Sequence, residues 1–327
     1  MKSSIGIALV AAISAVDVAR AQSTAGGLGP APRAGHAMAT AGKDGGVYLF
    51  GGQRDTIPHL VDTLWIWNGT SWRVVSDGGP HHRGMQAMAF DARRGVLVIY
   101  GGIGAANSPE RAARYGDTWE WNGRTWTEPN VQSPGPRDHH AMAYDSARGV
   151  MVMYGGQSYD RSSAQGTWTW DGVVWRFVDS TTGPGGLAHH AMAYDSRRQR
   201  VVMYGGAGQA RRANSDTWEW DGAKWERVAT SGPPPISAGR LAYDAARGVT
   251  VLFGGDRSRN ETWTWDGARW TEHAVSGPPA RSVHAMAYDV RRQRVVLFGG
   301  GGPGGPGLYN SFADVWDWNG DAWERHR

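Results

Sequence analysis

The chain of 327 residues contains no cysteine. That excludes disulfide staples, thiolate metal sites and cysteine nucleophiles, so stability has to come from a packed core. A strong charge bias is missing as well. The formal net charge is +4, and without a basic run this balance does not point to nucleic acid. No window has the i, i+3, i+4, i+7 apolar spacing of a helix. Gly-x-Ser-x-Gly, P-loop, His-Glu-x-x-His and EF-hand patterns are absent. Beyond Ala21 no segment is apolar enough to span a membrane, so membrane insertion is not expected.

The first 21 residues read as a secretory signal peptide: Lys2, an apolar run from Ile5 to Val16, then Ala19-Arg20-Ala21 as a small-x-small cleavage site. The run of about 12 residues is short of the roughly 20 that a transmembrane helix needs. The expectation is an exported protein, periplasmic or extracellular, cleaved after Ala21. Residues 22–31, rich in Gly and Ala, read as a flexible lead.

What remains is repetitive. HHAMAYDSARGVMVMYGG at 139–156 returns as HHAMAYDSRRQRVVMYGG at 189–206. Gly-Gly doublets begin at Gly51, Gly101, Gly155, Gly205, Gly254 and Gly299, about 50 residues apart. Trp-x-Trp begins at Trp65, Trp119, Trp168, Trp218, Trp263 and Trp316, each followed by Asn-Gly or Asp-Gly and a further Trp. Three per repeat over six repeats account for all 18 tryptophans. Each copy predicts four strands: an alternating one such as His140–Tyr144, an apolar one ending at Gly-Gly, the Trp-x-Trp strand, and one starting at the lone Trp. Asp145 and its equivalents read as hairpin residues. Asp171-Gly172 predicts a tight hairpin with positive φ at both central positions.

Gly-Gly after an apolar strand, an aromatic just before it and a Trp at a fixed distance after a turn resemble the kelch repeat. The Pro136–Asp145 form resembles kelch repeats related to the central domain of galactose oxidase. The resemblance implies an all-β, six-bladed kelch-type β-propeller with four antiparallel strands per blade. Blades are expected at about 32–78, 79–132, 133–182, 183–231, 232–276 and 277–327, in one domain. No blade is split between the chain ends. Ala141 and Ala143 would form a small face near the axis, with tryptophans filling the wedge further out. The copper radical chemistry of galactose oxidase uses a cysteine-crosslinked tyrosine, which this chain cannot form. No catalytic residue, metal or cofactor is expected.

Three groups are candidates for binding. One column, aligned on His140, reads His36, Gln86, His140, His190, Arg240 and His284. It shares a face with the Met and Tyr that pack between blades, so it reads as a seam position. The column before it reads Gly35, Met85, His139, His189, Gly239 and Val283, which leaves His139 and His189 as site candidates. Two residues earlier stand Arg33, Arg83, Arg137, Leu187, Ser237 and Arg281. Arg33, Arg83, Arg137 and Arg281 could ring a channel mouth and attract an anion, or could bond loop carbonyls of the neighbouring blade. The loops after Gly-Gly add Arg54, Arg111, Arg114, Arg161, Arg211, Arg212, Arg257 and Arg259. Arg240 completes the ligand-binding set. The hairpin arginines Arg93, Arg94, Arg148, Arg197, Arg198, Arg247, Arg291 and Arg292 read as solvated turn residues.

These residues suit a monomeric binding module for a small anionic or carbohydrate ligand or a protein partner. Exported six-bladed kelch proteins include sialic-acid mutarotases, and the resemblance keeps a sugar-acting epimerase open. An envelope assembly protein is a third reading.

Overall fold

The computed structural model describes all residues except 1–28, 43–44, 56–59, 109–110, 159–161, 180, 209–211, 257, 304–309 and 327. The expected signal peptide and most of the lead lie outside the described residues. The described residues form six four-stranded antiparallel sheets with strands in chain order, and a two-stranded ribbon of Gly301–Gly302 and Asn310–Ser311 interrupts the sixth. Their innermost strands are Ala37–Thr40, Ala87–Asp91, Ala141–Asp145, Ala188–Asp195, Arg240–Asp244 and Ala285–Asp289, taken as blades 1 to 6. Blade 3 continues outward through Val150–Tyr154, Thr167–Trp170 and Trp175–Asp179. Among the described residues no helix is long and apolar enough to cross a membrane.

The core is six wedges, one in each seam between blades. The alanine face of one innermost strand meets the methionine of the next: Ala87 and Ala89 pack with Met142, and Ala141 and Ala143 with Met192. Outward, where the sheets diverge, tryptophans fill the gap. Trp170 and Trp175 of blade 3 pack on Val98 and Tyr100 of blade 2. A side chain of this size buries about 150–250 Å². The seam between blades 6 and 1 is built alike, with Ala285 and Ala287 against Met38, so closure needs no strand exchange.

A backbone ring ties the blades at the end where the chain enters the innermost strands. Gly35, Met85, His139, His189, Ala238 and Val283 all have positive φ. The N–H of each donates to the carbonyl of its counterpart in the preceding blade at 2.7–3.1 Å, and Gly35 N–H to Val283 O closes the circle. Five of the six are not glycine, and this conformation costs of order 1–3 kcal/mol where a side chain is present. The ring holds them in it.

Two expectations about turns are corrected. In the Asp-Gly hairpins only the glycine has positive φ, as at Gly172 (94°). The connection runs over 171–174, and Asp171 Oδ1 accepts from the N–H groups of Val173 and Val174. A side-chain cap therefore replaces the two-residue turn. Of the hairpin arginines, Arg94, Arg148, Arg198, Arg247 and Arg292 are not simply solvated. Each pairs with the aspartate three residues earlier. Each also fills the space over a glycine of the next blade's hairpin: Gly172, Gly222, Gly267, Gly320 and Gly69 respectively. They clasp the blades from the end opposite the ring.

Candidate functional site

The arginines expected at the mouth are buried instead. Arg33, Arg83, Arg137 and Arg281 all have 7% or less of their surface exposed. In each, NH1 donates to the carbonyl of the first glycine in the Gly-Gly doublet of its own blade: Gly51, Gly101, Gly155 and Gly299. Nε donates to the carbonyl two residues back, at Ala31, His81, Gly135 and Pro279. Arg83 adds a bidentate pair with Asp117, and Arg281 one with Asp314. Tyr115 and Phe312 cover these two guanidiniums. Donors committed to carbonyls and carboxylates are not presented to a ligand. These four lock each blade's entry loop to its Gly-Gly corner, and the carbonyl belongs to the same blade, not a neighbour.

The histidine column is a seam position, as its face suggests. His36 Nε2 bonds Phe298 O at 3.1 Å, and Gln86 Nε2 donates to Phe50 O at 2.9 Å. His140 and His190 lie edge-on to Tyr100 and Tyr154. Burial first, then nearby arginine charge, holds His140 and His190 neutral, at about 3.

Blade 5 breaks the column, and the alignment expected there is off by one. Ala141 pairs with Tyr154 and Arg240 with Phe253, each the aromatic just before Gly-Gly. Arg240 therefore stands where the other blades carry Ala37, Ala87, Ala141, Ala191 or Ala285. Gly239 occupies the histidine position and Ala238 the ring. Ile236, not Ser237, replaces the locking arginine, and its side chain fills the space at Gly205 and Gly239.

The consequence, among the described residues, is a single cation lining the channel. A cavity of about 110 Å³ is lined from all six blades, by Arg240 together with ring, histidine, alanine and methionine positions. Arg240 NH1 donates to Gly239 O. Its charge depresses His36, His189, His190 and His284, which come from blades 1, 4 and 6 around the axis.

Above it, on the ring, His139 and His189 stack with centroids 3.9 Å apart. Asp138 has no exposed surface, and its Oδ1 sits 2.5 Å from His139 Nδ1. Its other oxygen accepts from Arg114. Burial raises Asp138, but the bond to His139 and the Arg114 guanidinium outweigh it and hold the carboxyl below its usual range. An ionised Asp138 fixes the His139 proton on Nδ1 and leaves Nε2 as an acceptor. Burial, then His139 and Arg240, lowers His189 to about 3. No cluster of three or more metal-ligating residues occurs among the described residues.

Of the expected binding residues, the structure brings together His139, His189 and Arg240, and places Arg33, Arg83, Arg137 and Arg281 in the lock. Asp138 and Arg114 complete the cluster. Arg161, Arg211 and Arg257 lie outside the described residues, as does the side chain of Arg111.

The fold and its axial site define a six-bladed β-propeller with a closed ring of repeats. The KLHDC2/KLHL20/DRC7 Kelch-repeats domain matches residues 117–300, and the chain belongs to the kelch-repeat family. The solved structure of YjhT is similar, with a TM-score of 0.71 at 14% identity over 92% of this chain and 99% of that chain. At that identity the likeness speaks for the fold. No curated protein matches the sequence.

Proposed function

We propose that this kelch propeller is an exported, monomeric binding module that takes an anionic ligand, a small acid or acidic carbohydrate or the acidic stretch of a protein partner, over its channel mouth at blades 2 to 4. One observation carries the reading. The ring position takes positive φ in all six blades and is therefore architecture, yet only blades 3 and 4 place imidazoles there, braced by buried Asp138 and by Arg114. The cavity beneath, about 110 Å³, is well under the roughly 300 Å³ at which ligand pockets begin. A sugar would sit over the mouth rather than enter the channel. Titration of a panel of acidic sugars and carboxylates into wild type and the double variant His139→Ala/His189→Ala tests the site. A tenfold or greater loss in the variant is expected, and equal binding would remove the mouth from consideration. Export is checked separately by N-terminal sequencing of the mature protein, expected to begin at Gln22.

The Asp138–His139 pair favours one second reading, a sugar-acting epimerase. An imidazole with its Nδ1 proton fixed by a carboxylate is arranged as a general base at Nε2. Exchange spectroscopy on acidic sugars would show faster anomer interconversion with wild type, abolished by His139→Gln. Unchanged rates across the panel would leave the binding reading alone.

A further inference from the structure

We propose that the channel holds a small inorganic anion, a halide or a compact oxyanion, on the guanidinium of Arg240. Five blades put alanine at this position and the sixth puts a cation there, so nothing in the repeat requires it. Among the described residues Arg240 has no carboxylate partner, and its bond to Gly239 O uses one of five donors. Arg240 is half-buried, and a charge drawn partly out of water without a counter-charge is costly. Burial lowers Arg240 only to about 10, so the guanidinium stays charged at neutral pH. The titratable groups facing it from neighbouring strands are imidazoles, which supply no negative charge.

A second observation is independent of the arginine. His140 lines the same cavity with 6% of its surface exposed, and neither ring nitrogen has a hydrogen-bond partner. Its ring end packs on Gly101 and Tyr100 in the seam with blade 2, so it borders the cavity without supplying negative charge to it. At about 110 Å³ the cavity is well under the roughly 300 Å³ at which sites for larger organic ligands begin. Chloride, nitrate, phosphate or sulfate fit, whereas a hexose does not. The inference stands apart from the mouth site: either can fail without the other.

The test compares wild type with Arg240→Ala, which gives blade 5 the residue of the other five. Thermal unfolding is followed in chloride, nitrate, phosphate and sulfate at constant ionic strength, with gluconate, too large for the cavity, as the balancing anion. Wild type is expected to rise by about 2–4 °C with the anion that fits, and Arg240→Ala to stay flat. The variant also reads out any general salt effect. Bromide supplies a measurement that needs no variant: an anomalous peak beside the Arg240 guanidinium in crystals grown with it. Equal shifts in both proteins, or a channel with no bromide peak, would overturn the proposal. An anion-dependent rise that survives in His139→Ala/His189→Ala separates the channel site from the mouth site.

Discussion

The indole Nε1 of Trp323, in blade 6, donates to Thr262 Oγ1 of blade 5 at 2.8 Å. The same bond crosses three more seams, from Trp175 to Thr118, Trp225 to Thr167 and Trp270 to Thr217. It fails at two. Trp72 and Trp126 meet blades whose third strands begin with Val315 and Leu64, and both indole nitrogens are buried without a partner. The two defective seams flank blade 1, where the chain closes on itself.

That contrast makes two isosteric changes informative. Thr262→Val strips the acceptor from a buried indole and is expected to destabilise by about 1–3 kcal/mol. Val315→Thr offers Trp72 the acceptor it lacks and is expected to stabilise by about 0.5–1.5 kcal/mol. Urea unfolding of both variants checks the sign. If Val315→Thr is the more damaging of the two, the seam bond is not what the threonines contribute.

A similar comparison between blades bears on the arginine lock. Arg281 is fully buried against Asp314, while blade 4 has Leu187 at the same place and keeps the backbone bond from Gly156 N–H. Asp314→Ala leaves the guanidinium uncompensated and is expected to cost about 3–5 kcal/mol. Arg281→Leu with Asp314→Asn removes both charges and should cost much less. A double variant no more stable than Asp314→Ala would show that the arginine's bonds to Pro279 O and Gly299 O matter more than its charge.

Much of this was legible from periodicity, because the repeat is written in residues whose size is the message. Alanines mark the axis, tryptophans the wedge and Gly-Gly the corner where His140 and the backbone of Arg137 crowd the preceding blade. The backbone ring was not legible. Only Gly35 among its six residues advertises positive φ, and the other five adopt it under tertiary constraint. Nor did spacing show that a buried arginine reaches a carbonyl 18 residues on. The slip in blade 5 had a readable remedy. Counting back from the hairpin aspartate puts Arg240 four residues before Asp244, as Ala141 is before Asp145. Anchoring instead on the residue before Leu241-Ala242 placed the arginine in the wrong column, one residue away from the alanine position that it fills.

The last expectation concerns acid. His140 and His190 are buried and held neutral at about 3, and His36 and His284 are also held well below their ordinary value, burial leading in each. In the unfolded chain each binds a proton as pH falls past about 6.5, while the folded chain does not. Unfolding is then favoured by acid: stability is complete above pH 6.5 and declines as pH falls towards 3, by up to about 1.4 kcal/mol per pH unit for each such histidine. Asp117, Asp138 and Asp314, whose carboxyls are held low by paired cations against the opposing effect of burial, add a further loss only below about pH 4. Blade 2 supplies the control. Gln86 fills the same column and bonds Phe50 O, so His140→Gln is expected to fold and to lose stability less steeply between pH 7 and pH 5. Thermal unfolding across that range checks it. Parallel slopes for His140→Gln and wild type would mean that the seam histidines are not the groups taking up protons.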